Sequence, residues 1–216
     1  MKTALLIDLD GTLVDSVPDL QAALNGMLSE IGRPALDREA VTAMVGDGTA
    51  RLVERGLKAS GGLIDLEAPL ARFTELYRAN PSTLTQVYPG VRETLRRFRE
   101  EGLSLAVVTN KPARPTRQVL EGTGLAEFFS VVVAGDTLPS KKPDPAPLLF
   151  ALEQLGRQIS DAVMIGDHHN DLVSAAEAGM PSIFVRYGYE RRMKDPVDPL
   201  RAIDRFDQIP EVLSRL

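Results

Sequence analysis

The 216-residue chain contains no cysteine, which removes disulfides, thiolate metal sites and thiol catalysis from consideration. That absence alone does not fix the compartment. No stretch approaches the ~20 apolar residues of a membrane-spanning helix, so no membrane partner is expected. The N-terminus runs into a strand-like segment without a cleavable signal pattern, and the expected location is the cytoplasm. Basic clusters are missing too: the formal net charge is −5 and the arginines are scattered among acids. With no stripe to follow a phosphate backbone, nucleic acid is not an expected partner. No internal repeat or low-complexity tract occurs. What remains is an ordinary globular composition, 44% hydrophobic and 25% charged. The chain is long enough for one large domain or a core with a smaller companion, as monomer or homodimer.

The most informative stretch is residues 3–16, TALLIDLDGTLVDS. An apolar run closed by a glycine turn reads as a buried strand with two acids at its carboxyl end. Alternation along an extended chain directs Asp8 and Asp10 to one side and Leu9 to the other. Two carboxylates so close repel unless a positive group lies between them, which points to a divalent metal, phosphate transfer, or both. Asp10-Gly11 is also a sound tight-turn pair, so a structural role stays open at this point.

After this strand, residues 17–31 carry Leu20, Ala23, Leu24, Met27, Leu28 and Ile31 at helical spacing, with Gly32 next. Further helical patterns cover 37–44, 49–59 and 66–79, and no convincing strand interrupts 17–80. A run of helices placed after one strand predicts a separate helical subdomain. From Tyr88 the rhythm becomes strand and helix in alternation. Helices are expected around 91–98, 114–122, 146–155 and from about Asn170; strands at Leu103–Val108, Val131–Val133, Ala162–Ile165 and Ser182–Val185. The fold class is therefore α/β: a Rossmann-like parallel sheet with helices on both faces, plus an inserted all-helical subdomain. Glu190–Pro199 reads as a surface loop before a short helix at 207–215.

Three segments accompany the acids in order, each at a strand end or loop: Val107-Val108-Thr109-Asn110-Lys111, Lys142-Pro143-Asp144-Pro145, and Gly166-Asp167-His168-His169-Asn170-Asp171. Each alone has a plain explanation. Thr109-Asn110 can begin a turn, Lys142 can be a solvated lysine like Lys141, and Asn170 or Asp171 can cap a helix. Together, at the edge of a parallel sheet where ligands bind, they favour a shared site.

These motifs resemble those of the haloacid dehalogenase superfamily, and within it phosphatases of the phosphoglycolate phosphatase type. The likeness covers nearly the whole chain and rests on Asp8-Leu9-Asp10-Gly11-Thr12, Thr109, Lys142, and the pair Asp167 and Asp171. Asn110-Lys111-Pro112, Gly46-Asp47-Gly48 and Tyr187-Gly188-Tyr189 resemble the phosphoglycolate subgroup more weakly. The resemblance implies a core at 1–15 and 82–216 and a mobile helical cap at 16–81. It also implies that the first strand lies between those bearing Thr109 and Asp167.

Asp8, Asp10, Asp167 and Asp171 against Lys142 leave a balance of −3, which a phosphate dianion could not approach. A hard divalent cation resolves the conflict, and Mg²⁺ suits carboxylates, water and substrate phosphate. By resemblance its ligands are the Asp8 carboxylate, the Asp10 carbonyl and the Asp167 carboxylate, with Asp171 orienting bound water. Asp8 is the expected nucleophile, forming an aspartyl-phosphate. Asp10 is the expected acid and base, its pKa raised by neighbouring charge. Thr109, Asn110, Lys142 and backbone amides near Gly11 are the expected phosphate-binding groups.

An alkoxide leaving group needs the acid Asp10 whereas a halide does not, which favours phosphate monoesters: a small phosphorylated metabolite, with 2-phosphoglycolate first. Another phosphate ester, a phosphosugar mutase and a phospho-accepting signalling module are the alternatives; the last needs only ~125 residues and no helical insert. Arg51 and Arg55 could meet a substrate carboxylate, but a solvated helix face explains both. Ser16-x-x-Asp19 has the form of a capping box. His168 stands where relatives carry a small polar residue, and is expected to alter hydrogen bonding near the metal. Adjacent residues such as His168-His169 seldom converge on one ion.

Overall fold

The computed structural model describes residues 3–190 and 198–215. In chain order its elements are β1 (Ala4–Ile7), β2 (Val14–Asp15), α1 (Val17–Glu30), α2 (Arg38–Thr42), α3 (Thr49–Ala59), α4 (Glu67–Ala79), β3 (Gln86–Val87), α5 (Val91–Glu100) and β4 (Ser104–Val108). There follow α6 (Ala113–Gly122), β5 (Val131–Val133), α7 (Ala146–Leu155), β6 (Ala162–Gly166), α8 (His169–Glu177), β7 (Ser182–Val185), β8 (Arg201–Ile203) and α9 (Ile209–Leu213).

Six strands form a parallel sheet in the order β5-β4-β1-β6-β7-β8. The apolar runs of β1, β4 and β6 are continuous because both faces of the sheet are covered. Leu5, Ile7, Leu105, Val107, Val163 and Ile165 pack with α5, α6 and α9 on one face. Ala4, Leu6, Ala106, Val108 and Met164 pack with α7 and α8 on the other. As expected, β1 lies between the strands leading to Thr109 and Asp167. Ile7 is level with Val107 on β4 and with Ile165 on β6. Asp8, Thr109 and Asp167 therefore emerge together at the carboxyl edge, where the strand order reverses and a crevice opens.

The helices α1–α4 bury an apolar cluster of their own, built on Leu24, Met27 and Leu28 of α1, Leu52, Val53 and Leu57 of α3, and Phe73 and Tyr77 of α4. The chain enters and leaves this layer through the two-stranded ribbon β2–β3, Val14 opposite Val87. This ribbon and β8 had no counterpart in the sequence reading, since strands of two or three residues carry no measurable period. The expected terminal helix is shorter than 207–215: a 3₁₀ turn at Phe206–Gln208 precedes α9. Of the expected loop Glu190–Pro199, residues 191–197 lie outside the described residues. No helix among the described residues is long and apolar enough to cross a membrane.

Candidate active site

Asp8, Asp167 and Asp171 come together at the sheet edge, all buried, with one carboxylate oxygen from each within 4.8 Å of the others. Lys142 reaches in from the β5–α7 connection, and its ammonium donates to Asp8 Oδ1 (2.8 Å), Asp171 Oδ1 (2.5 Å) and the Val108 carbonyl (2.6 Å). Asp167 is held by the Thr12 hydroxyl (2.8 Å) and the Tyr189 amide (2.8 Å). Gly11 has φ +90°, and a Cβ there would fall on the Asp167 carboxylate, so only glycine fits. Its amide donates to the Val14 carbonyl (2.8 Å), so its fit to the site in this state is steric.

One lysine does not balance three buried acids. Burial first, then repulsion from Asp171 and Asp10, outweighs Lys142 and pushes the Asp8 carboxyl up to about 7. Burial, Asp8 and Asp171 likewise push Asp167 well above the carboxylate range. Burial opposes the charge on Lys142, but Asp171 and Asp8 raise its pKa, so it stays an ammonium. A site of clustered hard oxygen donors with an unmet demand for positive charge fits a divalent metal ion.

Asp10 lines the same cavity, but its carboxylate stands outside the three-acid cluster. Both its oxygens face the Lys111 ammonium at 3.0 Å, and Oδ1 accepts the Ser16 hydroxyl at 2.5 Å. Lys111 is itself buried, and although burial opposes its charge, Asp10 and Tyr77 hold its pKa up. The site thus carries two lysines against four acids. The Ser16 contact replaces the expected capping box: at the start of α1 its side chain makes no cap hydrogen bond. Asp19 instead accepts from the Leu84 and Thr85 amides and the Thr85 hydroxyl. At α8 the capping reading holds. The N-cap is His168, whose Nδ1 accepts from the Asn170 amide, while Asp171 accepts from the His168 amide (3.0 Å). Asp171 therefore both caps α8 and pairs with Lys142.

Thr109 and Asn110 also line the cavity. The Thr109 hydroxyl accepts from the Lys111 amide, and the Asn110 Nδ2 donates to the Lys142 carbonyl (2.9 Å) and the Gly46 carbonyl (3.0 Å). The second bond ties the sheet edge to the 46–48 turn of the helical layer. Two more ties run from the Asn170 Nδ2 to Asp47 Oδ1 (2.8 Å) and from the Lys141 ammonium to the Asp47 carbonyl (2.6 Å). Gly46, at φ +124°, lies against the His168 imidazole where a Cβ would collide. Neither arginine lines the cavity. Arg51 pairs with Glu54 on an exposed helix face, whereas Arg55 is partly buried, pairing with Asp47 and donating to the Met44 carbonyl, so it holds the turn rather than facing solvent.

Thr12, Lys111, Tyr77 and Tyr189 were given no role in the sequence reading. Thr12, Lys111 and Tyr189 lie inside stretches singled out there, so proximity to a motif was an available signal. Tyr77 sits in an ordinary amphipathic pattern and gave none.

The chain matches the haloacid dehalogenase-like hydrolase family model over residues 5–185. It is 44% identical over 214 residues to the phosphoglycolate phosphatase of Rhodospirillum rubrum, covering 96% of this chain and 88% of that one. To the phosphoglycolate phosphatase of Pseudomonas putida it is 43% identical over 205 residues, covering 92% and 75%. Among solved structures, a predicted phosphoglycolate phosphatase from Haemophilus somnus 129PT superposes with a TM-score of 0.92 at 30% identity, covering 98% of each chain. The matched span takes in every acid and lysine of the site, and the chain belongs to the haloacid dehalogenase-like hydrolases, as a phosphatase of the phosphoglycolate phosphatase-like type.

Proposed function

We propose that this chain is a cytoplasmic enzyme that hydrolyses 2-phosphoglycolate, a small phosphate monoester, to glycolate and phosphate through an aspartyl-phosphate on Asp8, with Mg²⁺ as cofactor. The observation that carries the reading is the division of labour between the two opening acids: Asp8 faces Lys142 and the acid cluster, Asp10 faces Lys111 and Ser16. The relatives named phosphoglycolate phosphatase supply the substrate.

Asp8 is the nucleophile, its free oxygen attacking phosphorus while Lys142 offsets charge on the other. The Thr109 hydroxyl donates to the transferring phosphoryl oxygens and Lys142 offsets their charge, while Asn110, whose side-chain N–H groups are spent on the Lys142 and Gly46 carbonyls, would bind them through its backbone amide. Asp10, which must be protonated when substrate binds for this role, gives its proton to the departing glycolate oxygen, then takes one from the water that cleaves the acyl phosphate. The Ser16 hydroxyl orients Asp10 for both transfers. The residues that would hold Mg²⁺ are Asp8 and Asp167 through their carboxylates and Asp10 through its carbonyl, Asp171 orienting its water; when bound, the ion supplies the positive charge this cluster lacks. Residues 16–81 act as a cap over the core of 1–15 and 82–216, with β2–β3 as the hinge and the Gly46–Gly48 turn as the latch that excludes water. Support for the cap is its separate apolar cluster and polar ties to the sheet edge.

A phosphate-release screen over 2-phosphoglycolate, sugar phosphates, nucleotides and pyrophosphate, with and without Mg²⁺, tests the reading. Mg²⁺-dependent release with 2-phosphoglycolate among the best substrates is expected. A rank among the poorest would overturn the substrate, and undiminished release in chelator would overturn the cofactor.

A further inference from the structure

The reading above leaves open what the enzyme uses to recognise the carboxylate of its leaving group. The obvious cations are engaged elsewhere: Arg51 with Glu54, Arg55 with Asp47, and Lys142 with Asp8 and Asp171. Among the described residues, the cavity is lined by no arginine, and its lysines are Lys142 and Lys111. Lys111 sits on Asp10, the residue assigned to the leaving oxygen, and so at the alcohol end of the substrate. An ammonium has three N–H donors; two meet the Asp10 oxygens, and the third is left on the side of Tyr77.

Across from Lys111 stands Tyr77 of α4, its ring centroid 4.8 Å from the ammonium. Tyr77 is 4% exposed, and its hydroxyl has no hydrogen-bond partner of acceptable geometry, although Lys111 is near enough to influence its ionisation. Burial, opposed by Lys111, pushes this phenol up to about 12, so it is a neutral O–H donor at neutral pH. A buried hydroxyl without a partner is unfavourable, and an arriving acceptor removes that cost. Tyr77, with Gly48, Thr49 and Asn110, also lines a neighbouring cavity of about 340 Å³, so it stands at the boundary of the two.

We propose that Lys111 and Tyr77 form the subsite for a short anionic leaving group, Lys111 pairing with its carboxylate and the Tyr77 hydroxyl donating to it. This rests on the 2-phosphoglycolate reading and adds the residues that select for it. The helical layer then contributes to specificity through Tyr77 and the core through Lys111, so an anionic substrate joins the two layers at one point.

The test compares kcat/KM for 2-phosphoglycolate with that for ethyl phosphate, of similar size but with a neutral alcohol, in wild type, Tyr77→Phe and Lys111→Met. Thermal melting verifies that each variant is folded. The preference for 2-phosphoglycolate is expected to fall about tenfold in Tyr77→Phe, and about a hundredfold in Lys111→Met, as hydrogen bonds to a charged group are lost. In Tyr77→Phe the loss should lie mainly in KM. Tyr77→Phe is nearly isosteric, so it reports even if Lys111→Met does not fold. An unchanged preference in folded Tyr77→Phe, with wild type still cleaving 2-phosphoglycolate, would overturn the subsite and leave the proposed function standing. A wild type that releases phosphate from other esters but not from 2-phosphoglycolate would overturn the substrate, and this subsite with it.

Discussion

Asp8, Thr109 and Asp167 are carried to the cavity by three neighbouring strands in a fixed parallel register, whereas Tyr77, Thr49 and Leu52 reach it from helices that pack among themselves. A one-residue slip in β1 would exchange the two faces of a fully buried strand, so the sheet holds its end residues firmly. The helical layer meets the sheet edge through side-chain and carbonyl ties such as Asn110 to Gly46 and Asn170 to Asp47. On the proposed cap reading, such ties would break without unfolding either part, with chemistry that needs fixed atoms on the sheet and selection that needs entry and closure on the helices.

The comparison breaks most sharply at Asp8. Replacing it with Asn should lower phosphate release by a factor on the order of 10⁴, with circular dichroism and melting showing a folded chain. Two glycines come next. Gly11→Ala combines a positive φ with collision against Asp167, so turnover should drop by about a hundredfold, as for a misplaced catalytic group. Gly32→Ala, in the helical layer, also has a positive φ (+69°) but open space around it. It should cost roughly 1–2 kcal/mol in urea unfolding from backbone strain and leave turnover within about twofold. Equal activity losses in the two variants would contradict the contrast between the layers.

A smaller effect follows from the acid cluster. The Asp8 carboxyl lies at about 7 in the folded chain against an ordinary 3.8, and Asp167 is also raised. The metal-free fold therefore binds protons more tightly than the unfolded chain, and its stability falls as pH rises from about 4 through about 7. Deprotonation also creates the ligands for a cation. The rise in melting temperature on adding Mg²⁺ should then be larger at pH 8 than at pH 6; a rise that shrinks with pH would contradict this. Smallest of all is Arg51→Ala: an exposed surface pair with Glu54 contributes little, and kcat/KM for 2-phosphoglycolate should stay within about twofold.

The same contrast explains what was legible in the sequence. Apolar runs ending in Asp8, Thr109 and Asp167 mark strand ends directly, and parallel topology brings such ends together, so these three could be read from the pattern, whereas Lys142, in a loop, and Asp171, on a helix, were legible only through the resemblance of their motifs. Tyr77 could not be read either way, because an aromatic at helical spacing reads as core, and Tyr77 does pack in the core of its layer, stacked on Phe73. Ser16 was legible in the wrong sense: its spacing to Asp19 mimics a cap, but a nearby carboxylate, Asp10, competes for the hydroxyl. Short pairings such as β2–β3 and β8 depend on tertiary neighbours rather than on any local period.

The central claim is that Asp8 carries the phosphoryl group between two steps. Acid quenching during turnover of 2-phosphoglycolate with Mg²⁺, followed by peptide mass spectrometry, tests it directly, with Asp8→Asn as the control. The mass of one phosphoryl group is expected on the peptide containing Asp8 in wild type, and none in Asp8→Asn. Phosphate release by wild type with no label on that peptide, or with label on another residue, would contradict it.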